Sequence, residues 1–176
     1  MIRFTCDHRL HRTAAAWWAW YFDPPAISDF FTRGLGFKRY DVTQQVEHAG
    51  TIERSVACHP DVALPRAVRM LFLGGFRYVE SGVFSKSDNT WRFHWDPSTF
   101  PERLTVNGRM TVVDDGAADC RRTVEITLDA RFAGVGRLVE HTAQRVLRQI
   151  WDRSAVVMND WFRPDHRTEN VLTAPR

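Results

Sequence analysis

The sequence predicts an α+β fold in which a curved antiparallel sheet of seven strands wraps around one long C-terminal helix. Segments in which apolar and polar side chains alternate recur from Ile2 to Phe132, a pattern typical of strands with one buried face. The period then becomes helical over Arg137–Arg163, where the apolar residues form one stripe. Because a sheet with one solvent-exposed face must bury its other face, we expect this stripe to pack against the sheet.

The chain length favours a single domain. With 176 residues, of which 44% are hydrophobic and 26% charged, the composition is that of an ordinary globular protein. We expect one domain over residues 1–163 and a loose tail over 164–176, which is polar and bracketed by prolines.

The location predicted from the sequence is the cytoplasm. Charged residues occupy the N-terminus where a signal peptide needs an apolar stretch, and no apolar run approaches the roughly 18 residues of a membrane span. The three cysteines, Cys6, Cys58 and Cys120, lie far apart, which favours reduced thiols over a disulfide framework.

The first elements are a strand and two short helices. Ile2–Leu10 alternates strictly and predicts a half-buried strand. Thr13 is a suitable N-cap for a helix that should stop at Asp23, before two prolines. Pro25 can then open a second short helix that ends at Gly34 or Gly36.

The first helix is rich in aromatic residues and has no charge before Asp23. Its rings cover about half of the helix circumference and alanines fill the rest, whereas a nucleic-acid platform needs basic neighbours and a membrane wedge needs a charged opposite face. We therefore expect a buried helix that closes one end of the sheet. The rings are those of Trp17, Trp18, Trp20, Tyr21 and Phe22.

Six further strands follow, and each is predicted from its alternation and from the turn residues that bound it. In the first of them, the alternation places Tyr40, Val42, Gln44 and Val46 on the inner face. The predicted strands are Phe37–His48, Thr51–Cys58, Phe76–Phe84, Trp91–Trp95, Glu102–Val113 and Cys120–Phe132.

This order of elements resembles the START-like superfamily with its helix-grip (SRPBCC) fold. Two branches are similar in pattern: an uncharacterised bacterial START-like family, through the "FDP" turn at Phe22–Pro24, and the PRELI-like lipid-transfer domains. The stretches that resemble the PRELI-like pattern are His8, Trp17, Gly50–Arg54, Leu64–Pro65 and Tyr78–Glu80. The resemblance implies an apolar cavity between sheet and long helix that holds a hydrophobic small molecule or lipid.

The resemblance leaves three functions open, because one fold supports many activities. The first is a non-enzymatic carrier or sensor of a hydrophobic molecule, and the second is an enzyme similar to polyketide cyclases and aromatases. The third is an interaction module with a filled core. A cavity with converging polar groups would favour the enzyme, and an apolar cavity would favour the carrier.

The inward-facing aromatic, Met and charged residues are the candidate ligand-binding residues. Arg54 and Glu80 are polar exceptions on otherwise apolar faces, so they either pair with each other or leave Arg54 to bind an anionic ligand group. Arg122 also falls in phase with an apolar face, but it is so close to a turn that the sequence does not decide whether its side chain is solvated or buried. The candidate ligand-binding residues are Tyr40, Arg54, Tyr78, Glu80, Trp91, Phe93, Trp95 and Met110.

The sequence names no catalytic residue, no metal site and no cofactor. It contains no nucleophile elbow, Gly-rich phosphate loop or carboxylate pair. His8 is expected to be a hydrogen-bonded core histidine, and His94 and Asp96 are expected to be solvated. The isoelectric point is about 9.0, but the arginines are scattered among acidic residues, so no nucleic-acid partner is expected.

The segment between the third and fourth strands, residues 59–75, interleaves arginines with apolar residues. A short basic helix here could cover the cavity, or residues 65–73 could contact an anionic membrane transiently. An ordinary crossover packed on the mouth of the sheet would have the same composition.

Overall fold

The computed structural model describes residues 1–163, so the tail predicted for 164–176 lies outside the described residues. The described chain contains seven strands and four α-helices. The strands and three of the helices follow the predicted order, and the remaining helix, of four residues, lies between the third and fourth strands. The elements are β1 Ile2–Leu10, α1 Ala14–Tyr21, α2 Pro24–Asp29, β2 Arg39–Glu47, β3 Thr51–His59, α3 Arg66–Arg69, β4 Tyr78–Ser85, β5 Thr90–Pro97, β6 Leu104–Asp114, β7 Cys120–Ala130 and α4 Gly136–Trp161. A π-helical turn, Phe30–Gly34, extends α2.

All seven strands form one antiparallel sheet in the order β1-β7-β6-β5-β4-β3-β2. The long helix α4 packs on the inner face, and most of its contacts with the sheet are with β1 and β7. The α+β fold class, with a curved sheet around a C-terminal helix, is therefore confirmed. None of the helices within residues 1–163 is long and apolar enough to cross a membrane.

Side-chain caps define the start of both short N-terminal helices. The Thr13 hydroxyl accepts a hydrogen bond from the Ala16 backbone N–H at 3.4 Å, as predicted for the N-cap of α1. Asp23 does the same for α2 through the Ala26 N–H at 3.3 Å. The second helix begins at Pro24, one residue earlier than predicted, because a proline at the first helical position costs no hydrogen bond.

Strand β2 departs from the predicted alternation. The register with β3 shifts between Val42 and Gln44, so a β-bulge adds one unpaired residue and reverses the facing of the strand beyond it. The inward placement of Gln44 and Val46 is therefore wrong, because both side chains are exposed. Gln45 instead points inward and donates to the Phe22 carbonyl at 2.9 Å.

The aromatic helix α1 is buried between the sheet and α4, as predicted. Trp17 is fully buried, and its indole N–H donates to the Met158 sulfur on α4 at 3.1 Å. On the sheet side, the ring centroids of Trp18 and Phe84 lie 4.3 Å apart. The rings join two layers, so this cluster stabilises the packing of α4 over the sheet.

Gly108 on β6 makes room for an aromatic ring on the neighbouring strand. It is the cross-strand partner of Phe93, whose ring covers the glycine so closely that an added methyl group would overlap it.

We expect Gly108→Ala to lower the free energy of unfolding by about 1–3 kcal/mol, because the buried ring has no room to retreat. Chemical denaturation measures the loss, and Gly50→Ala is the control because no atom lies within 4 Å of its added carbon. Equal stability of the two variants would contradict the packing described for Phe93.

Candidate ligand-binding site

A cavity of about 100 Å³ lies between the inner face of the sheet and α4. Its wall is built from α1, α2, the β3–β4 connection, five of the strands and α4, and it is mostly aliphatic and aromatic. The polar residues on the wall are Tyr21, Tyr40, Tyr78, Glu80, Arg122, Thr142 and Ser154.

The structure divides the predicted ligand-binding residues into two groups. The first group lies on the cavity wall and consists of Tyr40, Tyr78, Glu80 and Trp95. The second group is buried but lies outside the wall and consists of Arg54, Trp91, Phe93 and Met110. Contact between ligand and any of these side chains stays a prediction.

Arg54 is held by α1. Its side chain is buried (the residue is 2% exposed), and Nη1 donates to the Tyr21 backbone carbonyl at 2.7 Å, at the C-terminal end of that helix. The guanidinium carbon lies 4.2 Å from the centroid of the Tyr21 ring and 5.1 Å from that of Trp91. The distance from Arg54 to the Glu80 carboxylate is 4.0 Å, so these two residues form only a long ion pair.

Glu80 presents one carboxyl oxygen to a donor and leaves the other without one. Oε2 accepts from the Trp95 indole N–H at 2.9 Å, whereas Oε1 has no hydrogen bond within residues 1–163. Burial raises the pKa of this carboxyl, and the charge of Arg54 and the Trp95 hydrogen bond offset only part of that shift. A carboxyl with a raised pKa can donate a proton as well as accept one.

Two tyrosines stack against other rings on the same side of the cavity. The Tyr40 ring lies 4.0 Å from Phe31, and the Tyr78 ring lies 4.2 Å from Trp95, both measured between centroids. Burial raises the pKa of both hydroxyls, so they stay neutral donors and acceptors. This end of the cavity therefore offers uncharged polar groups to a ligand.

Arg122 is a residue of the site that the sequence did not assign. The arginine is 1% exposed and lies on the cavity wall, below α4. Its Nη2 atom points at three acceptors: Ser154 Oγ at 2.9 Å, the Trp151 carbonyl at 3.1 Å and His8 Nδ1 at 3.1 Å. Burial lowers its pKa to about 10. The alternation in this strand places Arg122 on the same face as Val124, and this was the feature of the sequence that indicated its burial.

His8 links Arg122 to an exposed carboxylate. Its Nε2 atom lies 2.9 Å from Asp152 Oδ1, and its Nδ1 atom accepts from Arg122, so the neutral ring carries its proton on Nε2. Burial and the neighbouring guanidinium lower the pKa of His8. The histidine is hydrogen-bonded, as predicted. It contacts Arg122 but is not part of the cavity wall.

The other groups considered from the sequence form no site in the described residues. His94 and Asp96 lie on the outer face, where both are exposed, as predicted. Among residues 1–163, no cluster of His, Cys, Asp and Glu has the geometry of a metal site.

The β3–β4 connection, residues 60–77, covers one side of the cavity. The helix α3 within it spans only four residues, Arg66–Arg69. On its outer side, Met70 is 66% exposed and Leu73 is 82% exposed. The wall residues that it contributes are all apolar: Pro60, Val62, Leu64, Val68, Phe72 and Phe76.

Comparison with known proteins identifies a sequence family and a fold. A family model described as "Protein of unknown function (DUF2505)" matches residues 5–162. No curated protein matches the chain by sequence.

Solved structures resemble the chain over nearly its whole length. The Zhui aromatase/cyclase from Streptomyces sp. R1128 has a TM-score of 0.67 at 10% identity, with 93% of this chain and 97% of that chain covered. A protein from Thermus thermophilus has a TM-score of 0.63 at 10% identity, covering 90% and 95%. Norcoclaurine synthase from Thalictrum flavum, in complex with dopamine and hydroxybenzaldehyde, has a TM-score of 0.56 at 12% identity, covering 89% and 86%.

These similarities confirm the START-like, helix-grip fold that the order of elements resembled. Identities of 10–12% establish the shared fold and not a shared activity. A particular relation to the PRELI-like branch stays a prediction.

We expect Arg54→Met to lower the free energy of unfolding by about 2–4 kcal/mol, because it leaves the Tyr21 carbonyl and the Glu80 carboxyl buried without their partner. Urea denaturation measures the change. Arg92→Met is the matched control, since Arg92 forms an exposed ion pair with Asp88 and should contribute less than about 1 kcal/mol. A loss no larger than that of the control would show that Arg54 has no structural role.

Proposed function

The chain belongs to the DUF2505 family, whose function is unknown, and we propose that it binds a hydrophobic small molecule or lipid in its central cavity as a non-enzymatic carrier or sensor. The observation that supports this most directly is the wall of the cavity, in which aliphatic and aromatic side chains far outnumber the polar ones. Ligand pockets generally combine such walls with a small number of polar anchors.

The contacts follow from the position of the predicted residues. Tyr40, Tyr78, Glu80 and Trp95 would touch the ligand, because they lie on the wall. Trp91, Phe93 and Met110 would support that wall from behind, since they are buried outside it. Arg54 would act indirectly by holding the end of α1.

The volume of the cavity requires the ligand to displace part of the wall. A cavity of about 100 Å³ is smaller than the roughly 300–1,000 Å³ of pockets for drug-sized molecules. The β3–β4 connection is the part of the wall best suited to move. It lies outside the hydrogen-bonded sheet, and its one helix is only four residues long. Outward movement of residues 60–77 would enlarge the cavity and admit the ligand.

The same connection supports a transient contact with an anionic membrane through residues 65–73. Its exposed apolar side chains, Met70 and Leu73, lie next to the exposed arginines Arg66 and Arg69. Apolar residues that enter the headgroup region, together with cations that attract anionic lipid, are the two components of interfacial binding. Docking there would bring the side of the cavity that we expect to open next to the lipid bilayer.

A cyclase-like enzyme is the second candidate, and Glu80 is the observation that favours it. A buried carboxyl with a raised pKa, next to neutral tyrosines, is suited to general acid catalysis. However, the second charged wall residue, Arg122, lies on β7, three strand spacings away from β4 in the sheet, or about 14 Å along its surface. This separation of the two strands favours the carrier, because it sets the two charged side chains far apart at their backbones.

We expect the purified protein to retain a hydrophobic compound that native mass spectrometry detects. Ala143→Phe should reduce its retention at least tenfold, because Ala143 lies on the wall and the added ring fills the cavity. Gln149→Phe is the matched control on the exposed side of the same helix and should retain the compound.

Circular dichroism checks that both variants are folded. Equal retention by the two would place the ligand outside the cavity, and absence of any hydrophobic ligand would contradict the proposed function. Incubation of the extracted compound with the protein separates the two candidates, since a carrier returns it unchanged and a cyclase converts it.

For the membrane contact, we expect the wild type to float with liposomes that contain phosphatidylserine and to remain unbound with liposomes of phosphatidylcholine alone. The double variant Met70→Ser/Leu73→Ser should lose most of this flotation, because the inserted apolar surface is gone. Val113→Ser, which changes an exposed apolar residue on β6, is the control. Equal flotation of the double variant and the control would overturn the assignment to residues 65–73.

A further inference from the structure

Arg122 is a buried cation without an anionic partner. All three groups that its Nη2 atom approaches are formally neutral: a hydroxyl, a backbone carbonyl and the Nδ1 atom of His8. Within residues 1–163, no carboxylate forms an ion pair with it. Charged residues that are fully buried are normally paired, because removing a charge from water is costly.

The acidic residue nearest to Arg122 in this hydrogen-bond network is Asp152, which is linked to it through His8. Asp152 binds the opposite nitrogen of His8, and its own side chain is exposed to solvent. Water therefore screens its charge, and its hydrogen bond satisfies the histidine rather than the arginine. The carboxylate on the cavity wall, Glu80, is on a strand separated from β7 by two others.

The guanidinium also has unused hydrogen-bonding capacity. Its Nε atom is buried and has no hydrogen-bond partner among the described residues. The side chain is part of the cavity wall, next to Trp151 and Ser154 of α4, and its guanidinium carbon lies 5.0 Å from the Trp151 ring centroid. Stacking on that ring and the bonds of Nη2 hold the planar group in one orientation.

We propose that Arg122 binds an anionic group of the ligand, so that the ligand is an apolar molecule with a single carboxylate, sulfate or phosphate. This inference rests on the proposed function, since it assigns a chemical class to the ligand of the same cavity. Arginine forms planar, paired hydrogen bonds with such groups, and they are strongest where water is excluded. The apolar walls hold the remainder of the molecule, and the anion supplies the counter-charge that the fold omits.

Arg54 does not fill this role. It is the inward arginine that the sequence singled out as a ligand contact, but it lies outside the cavity wall and is held by the Tyr21 carbonyl, aromatic rings and the distant Glu80 carboxylate. Both arginines are buried and hydrogen-bonded, but Arg54 lies 4.0 Å from a carboxylate and outside the cavity wall, whereas Arg122 lies on the wall and has no carboxylate partner among the described residues.

Isothermal titration calorimetry at pH 7.5 with laurate and 1-dodecanol tests the inference, because both probes have a twelve-carbon chain and differ in the head group, which is an anionic carboxylate in one and a neutral hydroxyl in the other. We expect the wild type to bind laurate about tenfold to hundredfold more tightly than dodecanol, the range for a hydrogen bond to a charged group. Arg122→Met should remove this preference and leave the affinity for dodecanol unchanged. Arg121→Met, the outward-facing neighbour on the same strand, should keep it.

The outcomes separate this inference from the proposed function. Equal affinity of the wild type for the two probes would overturn the anionic class and leave hydrophobic binding in place. If neither probe binds, the proposed function fails and this inference falls with it. A laurate preference that survives in Arg122→Met would assign the anion to another residue.

The melting temperature of the ligand-free variants distinguishes a binding role from a structural one. Arg122→Met should change the melting temperature little, because removal of a desolvated charge that no carboxylate compensates opposes the loss of its hydrogen bonds to Ser154, Trp151 and His8. If Arg122→Met does not fold, Arg122 is needed for the structure. Arg122→Gln, which keeps a donor for Ser154, is then titrated with the same two probes, and loss of the laurate preference would support the binding role.

Discussion

One apolar surface, the inner face of the seven-stranded sheet, has to be removed from water, and the rest of the structure follows from how that is done. The helix α4 covers the side formed by β1 and β7, and the aromatic helix α1 closes one end. The short β3–β4 connection covers another side with six apolar side chains. Two rigid helices and one irregular segment do not fill a concave surface completely, and the space that remains is the cavity.

Within that dry interior, polar groups are either compensated by the fold or left open to the cavity. Arg54 belongs to the first kind, since it caps α1 and lies against three aromatic rings. Arg122 belongs to the second kind, since its side chain lies on the cavity wall and its hydrogen-bond partners are all neutral. Uncompensated buried charges occur more often at functional sites than elsewhere, and this supports the proposal that Arg122 takes part in recognition.

The buried face of a strand can be predicted from one chain where the strand pairs without interruption. The alternation in β1 and β7 predicted their buried residues, because each strand pairs without interruption. The same reasoning failed after Val42, because the bulge in β2 depends on pairing with β3 and leaves no mark in the composition. For the site, four of the eight candidate residues lie on the cavity wall, and all eight are buried. Periodicity identifies the buried face of a strand, but it does not say which buried residues border a void.

The sequence by itself determined the fold class, the order of elements, the burial of the aromatic helix and the two inward charges on β3 and β4. These follow from local spacing, since the period of apolar residues and the capping and breaking residues act within a few positions. Only the tertiary structure decided which arginine faces the cavity. That distinction depends on residues far apart in sequence, His8 on β1 and Ser154 on α4, that meet at Arg122 because the sheet brings β1 beside β7 and α4 packs across both. Whether a buried charge is compensated is a property of that assembled environment and not of its own strand.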